Sequence, residues 1–323
     1  MSKEQSQLEI TIVTPTFKRP KEMAGLLENL GRQTLIPSEV IIVDGSPPEE
    51  CKTEDAVKQL APTMPFLCRY FRHSGGTAIQ RNLGVQFART PLIALIDDDI
   101  RLDPDFLAQI AAAFDTDTDK SVGAIVGYRT NQHFDPNVQR WRWYRRLGFF
   151  STYEPGRYDF ASGYPINVNM QPPFSGMREV DFMTTSCAVW RREVFDSGLS
   201  FDPFFRDYGM LEDTHFSLRA RLKWKLWQCG DARCLHLHSP LGRQPSRKIG
   251  YKCVVNYYYV FQDVAGPLTL GRQARFWRFQ MFELFRVLSS AVRRRRWSDL
   301  MEFWGRIEGI FTIALGKVQT RKQ

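Results

Sequence analysis

Short apolar runs alternate with amphipathic stretches over the first third of the chain. Residues 8–14 (LEITIVT) form a β-branched run that stops at Pro15 and read as a strand. A helix is predicted from about Pro20, because Met23, Leu26, Leu27 and Leu30 recur at i, i+3, i+4 and i+7. Residues 39–43 (EVIIV) read as a buried strand ending at Asp44-Gly45-Ser46-Pro47, and residues 66–71 as a third strand. Gly75-Gly76 opens a turn, and residues 77–88 read as a helix. Residues 92–96 form a fourth strand that runs into Asp97-Asp98-Asp99. Asp103 as N-cap and Pro104 at the first helical position predict another helix, with Phe106, Leu107, Ile110 and Phe114 on one face. Residues 122–126 close this part as a strand.

Repeated βαβ units imply an α/β fold with a mainly parallel sheet covered on both faces. Ligands of such sheets bind outside the carboxyl ends of the strands. Thr14, Asp44 and Asp97–Asp99 each fall at the carboxyl end of a different predicted strand, so the topology predicts that they share one crevice.

The alternation breaks over residues 128–178, which are rich in Trp, Tyr, Phe, Pro and Gly. This segment reads either as an aromatic insertion that shapes an acceptor site or as an aromatic subdomain packed on the sheet. Order resumes over residues 180–190 and 201–224, followed by two short strands ending near His236. From about Tyr251 the pattern is helical, dense in Phe and Trp, and basic, with the run Arg293–Arg296 before Trp297. The expected division is a domain over residues 1–245 and a helical tail over residues 246–323.

Charge sharpens this picture. The 323-residue chain carries a net charge of +9, which favours anionic partners: nucleotide phosphates, nucleic acid or an acidic membrane surface. The six cysteines form no CxxC pair, the N-terminus lacks an apolar leader, and no stretch is apolar enough to span a bilayer, so a cytoplasmic location is expected. Aromatic residues beside the arginine run suit a helix lying on the cytoplasmic face of an anionic membrane, or a helical pair packed on the core with a solvated basic face.

Asp97-Asp98-Asp99 is the sharpest chemical signal. Adjacent carboxylates repel unless a cation neutralises them, and hard oxygen ligands suit Mg²⁺ or Mn²⁺ held jointly with substrate phosphates. The alternative is a solvated acidic turn. Asp44 can accept hydrogen bonds from a base or ribose or can simply close a turn. Thr14-Pro15-Thr16 can wrap a nucleotide or end a strand. Glu212-Asp213 precedes a helical stretch, where the helix dipole favours an ionised carboxylate, either as a cap or as a base. His236 and His238 alternate along a strand and can share a face; their spacing from Cys229 matches no standard zinc site.

Taken in order, TIVTPTFKRP, EVIIVDGS, GGTAIQRNLGVQFA, PLIALIDDDIRLDPDFL, DFMTTSCAVWRREVF, YGMLEDTHFSLRA and LHLHSP resemble the family 2 inverting glycosyltransferases of the GT-A fold, over residues 9–240. The resemblance implies a metal-dependent transfer of a sugar from a nucleotide-sugar donor, UDP- or dTDP-linked by preference, to an acceptor hydroxyl. It implies donor contacts from Thr14, Pro15, Thr16, Asp44, Arg81, Asp97 and Asp98. Metal contacts are implied for Asp99 first, then Asp98, with His236 or His238. The catalytic base is implied to be Asp213, with Glu212 as the alternative. The acceptor is expected to be a lipid-linked or cell-surface glycan, the setting polysaccharide biosynthesis, and nucleic acid is not expected as a partner. A nucleotidyltransferase shares the α/β sheet and the metal-binding aspartates, but the loop TPTFKRP lacks that class's glycine-rich character. A non-catalytic nucleotide or nucleic-acid binder is the other alternative that the charge allows.

Overall fold

The computed structural model describes residues 9–133, 139–207, 209–239 and 244–318. In chain order the elements are β1 (Ile10–Thr16), α1 (Pro20–Leu30), β2 (Glu39–Asp44), α2 (Lys52–Leu60), β3 (Leu67–Arg72), α3 (Thr77–Phe87), β4 (Leu92–Ile96), β5 (Ile100–Leu102), α4 (Phe106–Asp115) and β6 (Val122–Arg129). They continue with α5 (Gln139–Arg146), β7 (Tyr158–Asp159), β8 (Tyr164–Pro165), β9 (Met177–Val180), β10 (Cys187–Arg191), α6 (Arg192–Asp196), α7 (Glu212–Ala220) and β11 (Lys225–His236). Three helices end the chain: α8 (Ser246–Val264), α9 (Leu270–Arg294) and α10 (Trp297–Ala314).

The chain divides into two units, one of residues 1–133 and 171–242, the other of residues 134–170 and 243–323. The first holds a sheet in the order β3-β2-β1-β4-β10-β6-β11-β5, with β9 also on β11. β3, β2, β1 and β4 are mutually parallel, whereas β10 runs antiparallel to both β4 and β6. Every residue of β1 and β4 is buried, so both faces of the sheet centre are covered and continuous Val/Ile/Leu runs are required there.

Several predicted boundaries move. Pro15 does not end β1: it sits in register with Val43, and the strand continues to Thr16; Leu8 lies outside the described residues. Asp103 does not cap a helix; the amide of Phe106 donates to its carbonyl to close a turn, and α4 starts at Phe106. The two expected short strands before His236 are one strand, β11, with a register break between Gln228 and Arg233. That break lets its first half pair with β9 and its second half with β5.

In the second unit the aromatic segment packs with the C-terminal helices, across the division expected near residue 245. Trp141, Tyr144, Phe149, Phe150, Ile166 and Met170 bury themselves around Phe279 of α9. The Tyr144 hydroxyl donates to Glu283, which also pairs with Arg286, so the one buried carboxylate of this cluster is neutralised. These aromatic side chains are core.

Candidate active site

The parallel strands end where the chemistry gathers. Asp97–Ile100 forms a tight turn between β4 and β5, closed by the Ile100 amide on the Asp97 carbonyl. β5 pairs with the end of β11, placing Ile100 opposite His236. The turn therefore presents Asp98 and Asp99 between the end of β1 and the end of β11. That juxtaposition comes from topology, and no local pattern encodes it.

The three aspartates have three different environments. Asp98 is 2% exposed; its Oδ2 accepts from the Thr16 hydroxyl at 2.7 Å and its Oδ1 from Arg19 Nη1 at 2.8 Å. Burial outweighs these partners and pushes its carboxyl up to about 6. Asp99 has its Oδ1 3.1 Å from His236 Nε2, while its Oδ2 accepts the Ser239 amide at 3.1 Å. Burial raises its pKa, but the His236 hydrogen bond and charge, with Arg19 and the Ser239 amide, bring it below the ordinary carboxylate value. Asp97 pairs with Arg81 Nη2 at 2.7 Å.

Arg81, 2% exposed on α3, also donates Nη1 to Glu212 Oε1 at 3.0 Å. Burial opposes its charge, and Asp97 and Glu212 more than restore it. Glu212 is thus committed to an ion pair, with Thr77 as a further donor at 3.3 Å. Its neighbour Asp213 is half-buried and pairs with no cation among the described residues. The Thr214 amide and hydroxyl both donate to Asp213 Oδ1, at 2.7 and 3.4 Å. Burial and the adjacent Glu212 push the Asp213 carboxyl up to about 7, against the Thr214 amide, Arg81 and Arg129.

His236 and His238 stack with ring centroids 4.1 Å apart. Gln132 Nε2 lies 2.7 Å from His236 Nδ1 and 2.7 Å from His238 Nε2, and His236 turns its other nitrogen toward Asp99. Lys18, Leu211 and His238 have φ of 55°, 71° and 54°, a region that non-glycine residues avoid. They adjoin Arg19, Glu212 and Ser239, so backbone strain concentrates around this cluster.

Thr14 and Asp44 have no exposed surface. Asp44 Oδ1 accepts the Ser46 amide at 2.7 Å and its Oδ2 the Tyr70 hydroxyl at 2.6 Å; burial, and then this hydrogen bond, raise the Tyr70 pKa. It clasps the loop after β2 instead of offering a free carboxylate. Sequence reasoning missed Arg19, Tyr70, Gln80, Gln132 and Ser239. Arg19 was visible as a cation just after β1; Gln80 and Gln132 carry no signal in a single sequence.

Among the described residues, no three Asp, Glu, His or Cys side chains are gathered as a ready metal site. The residues expected to hold a metal are Asp99, then Asp98, with His236 or His238, and the structure gives each a different set of neighbours. Asp98 is occupied by Thr16 and Arg19, and the His238 nitrogen in question faces Gln132. The remaining pair does fit an ion. Two ligands at about 2.1 Å from an octahedral centre and at right angles are about 3.0 Å apart, and Asp99 Oδ1 and His236 Nε2 are separated by 3.1 Å.

The α/β sheet thus gathers acidic groups and two stacked imidazoles at the ends of its strands. The Glycosyl transferase family 2 model matches residues 11–199, more than half of the chain, and the chain belongs to that family. It is 26% identical over 246 residues to the uncharacterized glycosyltransferase YwdF of Bacillus subtilis, covering 76% of this chain and 80% of that protein. It is 25% identical over 246 residues to the O-antigen chain rhamnosyltransferase RfbN of Salmonella typhimurium, covering 73% and 69%. The fold is similar to that of the mannosyltransferase PcManGT from Pyrobaculum calidifontis, solved in complex with GDP-Man and Mn²⁺. The TM-score is 0.57 at 14% identity, over 95% of this chain and 88% of that one. The protein is thus a glycosyltransferase with a GT-A fold, and the nucleotidyltransferase and non-catalytic alternatives fall away.

Proposed function

We propose that the enzyme moves a hexose or deoxyhexose from a UDP- or dTDP-sugar to a hydroxyl of a lipid-linked or cell-surface glycan, with inversion at the anomeric carbon, in polysaccharide biosynthesis. A lipid-linked acceptor would set the enzyme at the cytoplasmic face of a membrane. The observation that carries the reading is the division of labour among the carboxylates around Arg81 and His236: Asp99 faces His236, Asp97 and Glu212 are spent on Arg81, and Asp213 pairs with no cation among the described residues. The name of RfbN supports a deoxyhexose and a glycan acceptor.

Asp99 and His236 would hold Mg²⁺ or Mn²⁺, which when bound neutralises charge on the departing diphosphate. Arg19, now on Asp98 and 3.7 Å from Asp99 Oδ2, lies where it can turn to a phosphate. Arg81 keeps Asp97 and Glu212 fixed beneath the donor. Thr14, Pro15, Thr16 and Asp44 shape the nucleotide end through the backbone. Thr214 holds Asp213 Oδ1, leaving Oδ2 to take the proton of the acceptor hydroxyl as that oxygen attacks the anomeric carbon and the bond to diphosphate breaks. One displacement inverts configuration, and positioning with electrostatics supplies most of the acceleration.

Incubation with nucleotide sugars, Mn²⁺ and glycan acceptors tests this. The expected products are a nucleoside diphosphate and a glycoside whose anomeric configuration, read by NMR, is opposite to the donor's. Release of pyrophosphate, or retained configuration, refutes it.

A further inference from the structure

The C-terminal helices leave apolar side chains uncovered in an ordered way. On α10, Trp297, Trp304 and Phe311 recur every seven residues and stay 71%, 49% and 63% exposed, with Leu315 just beyond the helix at 66%. Successive members of this row differ by only about 20° around a helix of 3.6 residues per turn, so they form one stripe. On α9, Leu270, Met281, Phe285 and Val292 are exposed and fall within about 60° of one another, with the exposed Arg278 flanking them. The opposite faces of both helices are used: Phe276, Phe279, Leu284 and Val287 of α9 are buried, as are Gly305 and Gly309 of α10, and the α8 backbone passes too close to Gly305 for a side chain.

Both stripes run into one corner. α9 ends at Arg294, Arg295 takes a left-handed conformation, and α10 begins at Trp297. Arg293, Arg294, Arg295 and Arg296 are all exposed there, and none pairs with a carboxylate among the described residues. The acidic residues of α10 are used inside the unit: Glu302 on Arg306, Glu308 on Arg247, and Asp299 on Ser290. The corner therefore joins uncompensated positive charge to indole and phenyl rings. No described helix is long and apolar enough to cross a membrane.

We propose that this corner is a docking surface for an anionic lipid bilayer, with the arginine run at the headgroups and Trp297, Trp304, Phe311 and Phe285 inserted at the acyl boundary. Charge selects this occupant. A second copy meeting the same face would bring two arginine runs together, and apolar stripes that meet at an arginine run suit an amphipathic interface. The proposal rests on the membrane setting inferred above for the acceptor, but its test is independent of the active site.

The full chain is mixed with phosphatidylcholine vesicles, with or without phosphatidylglycerol, and floated at two salt concentrations. Flotation should require the anionic lipid and weaken as salt rises. Replacing Arg293–Arg296 by Ser should weaken binding by several hundredfold, taking about fivefold per arginine. A second variant, Trp297→Ser with Trp304→Ser and Phe311→Ser, should also lose binding. Both should keep the wild-type helical circular dichroism and nucleotide-dependent thermal shift. Equal flotation with neutral vesicles, unchanged binding by either variant, or lipid-independent dimers that the aromatic variant dissolves would each overturn it. None of these outcomes would touch the transferase reading, which stands or falls on nucleotide and Mn²⁺ binding.

Discussion

Asp213 shows how far one side chain can carry function. A carboxyl raised to about 7 is half ionised near neutrality, and only the ionised form accepts a proton. We predict that kcat/KM rises through about pH 7 and flattens above it; a profile flat from pH 5 to 9 would count against Asp213 as base. Asp213→Asn should lower turnover by about 10²–10⁴-fold. The same shift has a consequence for stability. The native carboxyl keeps a proton that the unfolded chain gives up from 3.8 upward, so this group's contribution declines as pH rises from 3.8 to about 7. Asp213→Asn removes that decline, so its melting temperature at pH 8 should equal or exceed the wild type's, which differential scanning calorimetry reads directly. Glu212 and Asp213 are adjacent, and residue chemistry alone does not separate them; only the family resemblance favoured Asp213. What separates them is Arg81, more than a hundred residues away in the chain, which a local motif cannot show.

At the scale of elements, α3 is the clamp of the site. Gln80 donates from Nε2 to the carbonyls of Thr16 and Val43, at 2.9 and 2.7 Å, tying the ends of β1 and β2 together. Gln80→Leu takes a donor from each carbonyl, although Thr16 keeps the Gly45 amide, and should lower unfolding free energy by about 1–3 kcal/mol in urea titration. Arg81 joins the same helix to β4 and α7. Arg81→Met strands two carboxylates, one of them buried, and should cost about 3–5 kcal/mol; a near-neutral result would mean that Glu212 simply protonates. The parallel strands and α1, α3 and β4 were legible because buried strands read as unbroken apolar runs and amphipathic helices repeat at 3.6 residues. The start of α4 and the bend of β11 were not. Asp103-Pro104 satisfies a helix-start pattern that the chain uses for a turn, and a register break is set by which strands flank it. The histidine stack and Gln132 depend on that same bend.

For the whole molecule, the family and fold were readable because seven short segments occur in one order, although each alone is weak. The aromatic segment over residues 128–178 resisted reading because its buried partners, such as Phe279, lie in the last eighty residues. An aromatic core assembled from distant pieces looks locally like a binding loop. The net charge of +9 likewise hid its meaning until exposure was known, since arginines such as Arg81 and Arg306 are buried in ion pairs, whereas Arg293–Arg296 face solvent.

The central claim is that Asp99 and His236 bind a divalent ion together with a nucleoside diphosphate. The most direct measurement is thermal unfolding with UDP, dTDP or GDP in Mn²⁺ or EDTA. Ligand at about a hundred times its Kd stabilises the native state by about 2.7 kcal/mol, worth roughly 5 °C or more in a domain of this size. One nucleotide should give that shift in Mn²⁺ only, and Asp99→Ala should abolish it. A shift of equal size in EDTA, or none with any nucleotide for protein shown to be folded, would contradict the account.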